Sequence, residues 1–372
     1  MNILSRFTVN NFALLLLIVL PVSGQEISPA DQKIETERTD AYAAQLENYL
    51  KHYLVDNYYE RASAAWNRDY SSIDAFERSV EPNRERWSSV VIKPPVLTKS
   101  GPLNRKPYTV EGITGEWIEV PLGPVAAQAF LAFPAGQVSN KKLPLVIVQH
   151  GIGSTPETPF RGGAYHEYAK ELLKSGFAVL VPMNLMSVER RNRIERLCRL
   201  ADISLPGIEL VRVQNLLDIV LTDNRIDPQR VGMWGVSLGG MATMFWMPLE
   251  PRIKAGVVSA WFNQRRNKMV IPDDRYTSFL VTTEDHAFFT GWLTEFTDHD
   301  VVSLICPRPL LIQHGKQDRI AYWPQVIEEF EIAKTHYDKL NISDRIEMDM
   351  HEGDHEAIIE SGVTFMKKWL IP

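Results

Sequence analysis

A strand that must become a helix within a few residues leaves a chain few folds to choose from, and residues 230–247 read that way. Arg230-Val231-Gly232-Met233-Trp234 is strand-like and 241–247 is helix-like. Between them stands Gly235-Val236-Ser237-Leu238-Gly239-Gly240. The order G-x-S-x-G puts a serine on a tight strand-to-helix turn, with glycines where side chains would strike neighbouring backbone. The turn presents the Ser237 hydroxyl at the start of a helix, whose free N–H groups can stabilise developing negative charge. A sheet flanked by helices is therefore expected, with Ser237 as candidate nucleophile.

The chain from Tyr108 onward carries the alternation such a turn requires. Strand candidates lie at 116–120, 126–132, 145–149, 178–181, 231–234, 255–259, 310–313 and 345–350. Helix candidates between them lie at 167–174, 211–221, 241–247, 325–337 and 357–370. Apolar strands separated by amphipathic helices imply an α/β fold with a mostly parallel sheet covered on both faces. Eight strands are expected, the first two antiparallel. The stretches 185–204 and 262–301 break the alternation. They are expected as insertions near the C-terminal edge of the sheet, where ligand sites of open α/β sheets lie.

Residues 25–95 differ in texture, being polar, charged and helix-prone. Tyr42, Leu46, Tyr49, Leu50, Tyr53 and Leu54 recur at helical spacing, and Ser71 to Phe76 reads as a helix start. Lys93-Pro94-Pro95 ends the segment. An N-terminal helical extension packed on a catalytic domain of residues 96–372 is predicted. Residues 1–24 read as an export signal: Arg6 supplies positive charge, 12–20 an apolar run, and Val22-Ser23-Gly24 a small-residue cleavage site. The run is shorter than the roughly 20 apolar residues that span a bilayer. A mature chain starting at Gln25, periplasmic or secreted and without a stable membrane span, is expected. Cys198 and Cys306 are the two cysteines, and either one disulfide or two isolated buried thiols fits them.

The chain has 372 residues, 45% of them hydrophobic, which suffices for a large core. Its formal net charge of −6 argues against nucleic acid as a partner, since no net basic field would draw phosphates.

A serine nucleophile needs a base, and the base an orienting acid. The strand candidate ending at Gln313 runs into His314-Gly315-Lys316-Gln317-Asp318, which puts Asp318 just past a strand end. The last strand candidate runs into His351-Glu352-Gly353-Asp354-His355, and a helix follows. His355 is the candidate base and Asp318 its acid. Asp300 and Asp354 follow no core strand at the required place, and His351, at a strand end, reads as structural. For the oxyanion, the N–H of Leu238 is one candidate donor. The turn Gln149-His150-Gly151-Ile152-Gly153 offers Ile152 as the second.

These residues carry a family resemblance. From about residue 108 to the end the chain resembles the α/β-hydrolase superfamily, in its dienelactone-hydrolase and acetyl-xylan-esterase-like branch. The carrying motifs are His150-Gly151-Ile152-Gly153, the run Asn224 to Gly232 leading into Gly235 to Gly240, Cys306-Pro307-Arg308-Pro309-Leu310-Leu311, and His314 to Asp318. The resemblance implies a Ser237–Asp318–His355 triad and ester hydrolysis through an acyl-enzyme. The dienelactone hydrolases proper use a cysteine nucleophile, so serine here points away from their substrate, and the long insertions depart from the compact members. The activity implied is that of a serine carboxylester hydrolase on small or carbohydrate esters, with no metal or organic cofactor.

Rival readings exist. His351 to His355 matches H-E-x-x-H, but zinc chemistry needs both histidines on one continuous helix. Here a glycine interrupts, and 346–350 alternates like a strand. A prolyl-oligopeptidase-like serine peptidase shares the fold, although the segment before residue 108 is too short and too helical for a β-propeller. A catalytically inactive binding protein is the third alternative. For substrate contacts, Arg190 and Arg193 of the first insertion could meet an acidic group. Trp261 and Trp292 beside or in the second could line a pocket. A histidine base must be neutral, so the rate is expected to fall as pH drops into the histidine titration range.

Overall fold

The computed structural model describes residues 27–136 and 141–371. The export signal expected over residues 1–24 lies outside them. Among the described residues no helix is long and apolar enough to cross a membrane. The chain divides into two units, residues 1–50 and 51–372. In the first lies most of helix Pro29–Lys51. The helix is opened by Ser28, whose Oγ accepts from the Asp31 N–H at 3.2 Å. Pro29 takes its first position, where a missing N–H costs nothing.

The second unit is built on a nine-stranded sheet. Its strands are β1 (Asn104–Val110), β2 (Ile113–Leu122), β3 (Val125–Ala132), β4 (Leu143–Gln149), β5 (Ala178–Pro182), β6 (Ile226–Val236), β7 (Ile253–Ser259), β8 (Leu310–Gly315) and β9 (Ile346–His351). They lie in the order β1-β2-β3-β5-β4-β6-β7-β8-β9. The first three form an antiparallel meander that joins β5, and from β5 to β9 all pairs are parallel. Every residue of β4 and β5 is buried, as strands covered on both faces must be. Eight strands fall where the apolar pattern places them. The ninth, β1, is a correction to the expected eight: its first six residues are exposed and only Val110 is buried. Backbone pairing to β2 holds it as an edge strand, where Pro107 is tolerated, so no burial period marks it in the sequence.

Helices Leu205–Val220 and Leu238–Trp246 contribute to one apolar layer, and Tyr168–Lys174 and Ile359–Leu370 to the other. Residues 58–92 belong to the first layer. Phe76, Val80 and Trp87 are fully buried in it. The Trp87 Nε1 donates to Phe245 O at 3.0 Å, and the two rings meet edge to face at 4.9 Å. This segment thus braces the helix that follows Ser237. A second tie is polar: Tyr58 Oη (2.6 Å) and Arg68 Nη2 (2.6 Å) both bond the buried Asp300 carboxylate. Asp300 also closes the capping box of helix Asp298–Ile305 with Thr297.

Both insertions follow C-terminal ends of parallel strands. Residues 185–204, after β5, contain helix Val188–Leu200. Residues 262–301, after β7, contain the short helices Arg265–Val270 and Trp292–Glu295 and the first turn of Asp298–Ile305. Cys198 and Cys306 are each buried and unbridged.

Candidate active site

Strand β6 ends at Val236 and the next helix begins at Leu238, leaving Ser237 between them at φ 61° and ψ −121°. A residue with a side chain held at such a positive φ stores strain of order 1–3 kcal/mol. Its surroundings impose it. The Ser237 N–H donates to Ser259 O on β7 at 2.9 Å, and its own carbonyl accepts from Met241 at 3.0 Å. The motif's glycines are required by backbone approach. A Cβ on Gly235 would stand 1.9 Å from Gly239 O, and one on Gly239 would stand 1.9 Å from Gln149 O at the end of β4.

Asp318 sits in the loop after β8, and His355 in the loop between β9 and the last helix. The His355 Nδ1 bonds Asp318 Oδ2 at 2.8 Å, and the Asp318 Oδ1 accepts from the Ile320 N–H at 2.9 Å. Burial works to raise the Asp318 carboxyl. The hydrogen bond and charge of His355, with the Ile320 N–H, outweigh it, so the group lies below its ordinary range. The His355 loop is pinned by backbone bonds from Lys316 to His351 O and from Gln317 to Gly353 O, both 2.9 Å. His351 ends β9, and the residues from there to His355 are bends rather than helix. Among the described residues the Asp354 carboxylate bonds locally, accepting from the His355 N–H.

In the loop after β4, Gly151 lies against Ser237; a Cβ there would come within 3.1 Å of the Ser237 Cβ. The Gly151 N–H donates to Tyr165 Oη at 2.7 Å and the Gly153 N–H to Met186 O at 2.9 Å. Ile152, between them, lines the cavity. His150 is fully buried with its Nδ1 on Gly151 O, and burial pushes its pKa down to about 4. It orders the loop as a neutral ring.

Ser237, Leu238, Ile152, His355 and Trp261 line one cavity of about 100 Å³. Asp318 stands behind His355. The other expected contacts are not brought to it. Helix Val188–Leu200 turns Arg191, Glu195 and Cys198 inward, so Arg190 and Arg193 fall on its exposed face, away from the lining. Trp292 is buried in an aromatic cluster, 5.1 Å from Phe245 and 5.5 Å from Phe289, and does not reach the cavity.

Charge in the cavity wall comes instead from Arg265 and Lys268 of the second insertion. The Arg265 guanidinium is fully buried, stacked 4.1 Å from the Trp261 ring and 5.2 Å from that of Trp292. Its Nε and Nη2 each bond Asp298 at 2.9 Å. Among the described residues its Nη1 and the Trp261 Nε1 have no partner. Lys268 donates to Thr277 O and Ile320 O, tying the insertion to the Asp318 loop. Burial, helped by the Arg265 charge, pushes its pKa down to about 7. Glu284 and His286 complete the polar side of the wall, and burial pushes Glu284 up and His286 down to about 3. In the sequence, Arg265-Arg266-Asn267-Lys268 reads as a solvated basic run; nothing along the chain announces that its members turn inward.

No family model matches the chain. Among curated proteins it is 25% identical over 231 residues to the "Putative esterase YitV" of Bacillus subtilis (strain 168), which covers 57% of this chain and 83% of that protein. Among solved structures, a "putative acetyl xylan esterase" from Bacteroides fragilis NCTC 9343 superposes with a TM-score of 0.59 at 17% identity, covering 80% of this chain and 84% of that one. A glucuronoyl esterase from Solibacter usitatus superposes with a TM-score of 0.57 at 14% identity, covering 80% and 94%. At such identities the likeness is one of fold. Strand order, the serine turn closing β6 and these superpositions agree: the chain has the α/β-hydrolase fold.

Proposed function

We propose that the chain is a serine carboxylester hydrolase acting through an acyl-enzyme. The observation that carries the reading is one cavity lined by Ser237, held at positive φ, and by His355, whose Nδ1 is bonded to the buried Asp318. In this reading Ser237 Oγ attacks the ester carbonyl as His355 Nε2 takes its proton. The oxyanion is held by the N–H groups of Leu238 and Ile152. The C–O bond to the alcohol then breaks and His355 returns the proton to the departing oxygen. Water, deprotonated by the same ring, attacks the acyl-enzyme to release the acid and restore Ser237.

The names borne by the curated relative and the superposed structures support esters as the substrate class, and carbohydrate esters within it. A cavity of about 100 Å³ suits a small acyl group. It falls well short of the several hundred Å³ that larger ligands fill. Residues 1–24 support export to the periplasm or medium.

The test is release of 4-nitrophenol from acetate and butyrate esters by wild type and Ser237→Ala, with and without a chelator. Hydrolysis lost in the variant and indifferent to chelation is expected. Activity that survives the substitution and dies with the chelator would sink the serine reading.

A further inference from the structure

One buried amide touches both halves of the catalytic arrangement without lining the cavity. Gln313, on β8, is fully buried, and all four hydrogen-bonding positions of its side chain are filled. Its Oε1 accepts from Ser259 Oγ at 2.6 Å and from the Ile358 N–H at 3.2 Å. Its Nε2 donates to Ile358 O at 2.7 Å and to Ser361 Oγ at 2.8 Å. We propose that Gln313 is a positioning residue that sets His355 against Ser237; this rests on the hydrolase reading above.

The argument follows the bonds in both directions. Toward the nucleophile, Ser259 is the residue whose carbonyl accepts the Ser237 N–H. The Ser259 Oγ is fixed between Gln313 and the Trp234 Nε1, which donates to it at 2.9 Å. The Gln313 backbone carbonyl holds the next residue, accepting from Ala260 at 2.9 Å. Toward the base, Ile358 lies three residues past His355, and Gln313 clamps both its N–H and its C=O. The clamp meets the end of the His355 loop that the bonds from Lys316 and Gln317 do not reach. The final helix starts at Ile359, so the amide also fixes where that helix begins. A hydrophobic residue of similar size would fill the space but leave Ile358 and Ser259 without these partners. That end of the loop would then keep the Ala357 N–H bond to Ala164 O but lose both bonds at Ile358, and a misplacement of about 1 Å at a catalytic group can cost about a hundredfold in rate.

Three variants test this: Gln313→Leu, Gln313→Glu and Ser361→Ala. A buried glutamic acid stays protonated, so Gln313→Glu keeps one donor and both acceptor bonds, whereas Gln313→Leu keeps none. The expected order of kcat on 4-nitrophenyl butyrate is wild type, then Glu, then Leu, with Leu at least tenfold below wild type and KM within threefold. Ser361→Ala, losing one bond of four, stays within a few-fold. The second readout needs no catalysis: the far-downfield proton resonance of His355 Nδ1–H, bonded to Asp318, weakens or exchanges faster in the same order. A Leu variant equal to or better than Glu, or a His355 resonance unchanged in both, overturns the proposal. If wild type hydrolyses no ester while the resonance follows the predicted order, the positioning role stands and the hydrolase reading falls. Should the Leu variant not fold, Gln313→Glu against wild type decides on the same two readouts: a lowered kcat with a weakened His355 resonance supports the proposal, and both unchanged overturns it.

Discussion

Replacing Asp318 by Asn removes one acceptor and adds two donors at a position where two donors already converge. The carboxylate serves the Ile320 N–H through Oδ1 at 2.9 Å and the His355 Nδ1 through Oδ2 at 2.8 Å. An asparagine has a single oxygen, so it can satisfy one of them. If the oxygen faces His355, the amide NH₂ meets the Ile320 N–H, and a buried donor is orphaned at a cost of about 1–3 kcal/mol. If it faces Ile320, the NH₂ meets His355 Nδ1, which must become an acceptor. The ring proton then moves to Nε2, the atom that should take the proton of Ser237. The second arrangement leaves no orphan donor in the protein and so prevails, at the expense of catalysis. The expected loss is about 10³–10⁴ in kcat/KM, roughly 4–5.5 kcal/mol of transition-state stabilisation. The assay is steady-state hydrolysis of 4-nitrophenyl butyrate, with the Tm of each protein measured beside it. The Tm comparison carries its own sign. The Asp318 carboxyl lies below its ordinary range when folded. Its charge therefore stabilises the fold above the unfolded aspartate pKa, and that contribution fades as pH falls through the folded one. The Tm gap between wild type and Asp318→Asn should accordingly narrow in acid. An Asn variant with kcat/KM within tenfold of wild type would refute the role given to Asp318 and, with it, the tautomer argument.

His314 is buried with neither ring nitrogen partnered among the described residues, and burial pushes its pKa down from 6.5 to about 4. The unfolded chain binds that proton first, so stability is full above about pH 6.5 and falls by about 3 kcal/mol as pH drops toward 4. His314→Phe should flatten the Tm–pH curve over that window, and an unchanged slope would show that His314 does not titrate as argued. Gly239→Ala drives a Cβ to 1.9 Å from a backbone oxygen that no side-chain motion can relieve. It should cost more than about 4 kcal/mol, read as loss of soluble protein or a collapse of Tm. Arg265→Met leaves the fully buried Asp298 unpaired and should destabilise by about 3–5 kcal/mol. Adding Asp298→Asn should recover much of that in a denaturant titration, and a double variant as unstable as the single one would exclude charge burial as the cause.

What could be read along the chain and what could not divides by the range of the physics involved. The eight strands with buried faces announce themselves because burial writes a local apolar pattern. The strand β1, exposed over six residues, is held by backbone bonds to β2 and by surface contacts of Arg105 and Tyr108, and leaves no such mark. The serine turn was legible because Gly235 is demanded by the Gly239 backbone and Gly239 by the end of β4, and backbone crowding of that kind restricts residue type at once. Asp318 and His355 were legible through chain order, each falling in a loop after a parallel strand. The cavity wall was not. A basic run such as 265–268 looks solvated, since burying a cation is costly unless a partner neutralises it. The partner here, Asp298, lies 33 residues from Arg265 in a segment with no strand to place it. The two tryptophans whose rings lie against the guanidinium, Trp261 and Trp292, are themselves far apart along the chain. The exposed placement of Arg190 and Arg193 was not legible for the complementary reason. A helix with charges all round gives no sequence signal for which arginine turns inward. Arg191 is the one whose partners, Glu209 and Asn184, wait on the buried side. Chemistry that needs a special backbone is therefore visible one residue at a time. Buried charge becomes visible only when its counter-charge is in place, so the wall of this cavity is read from the pairing of Arg265 with Asp298 and not from a count of arginines.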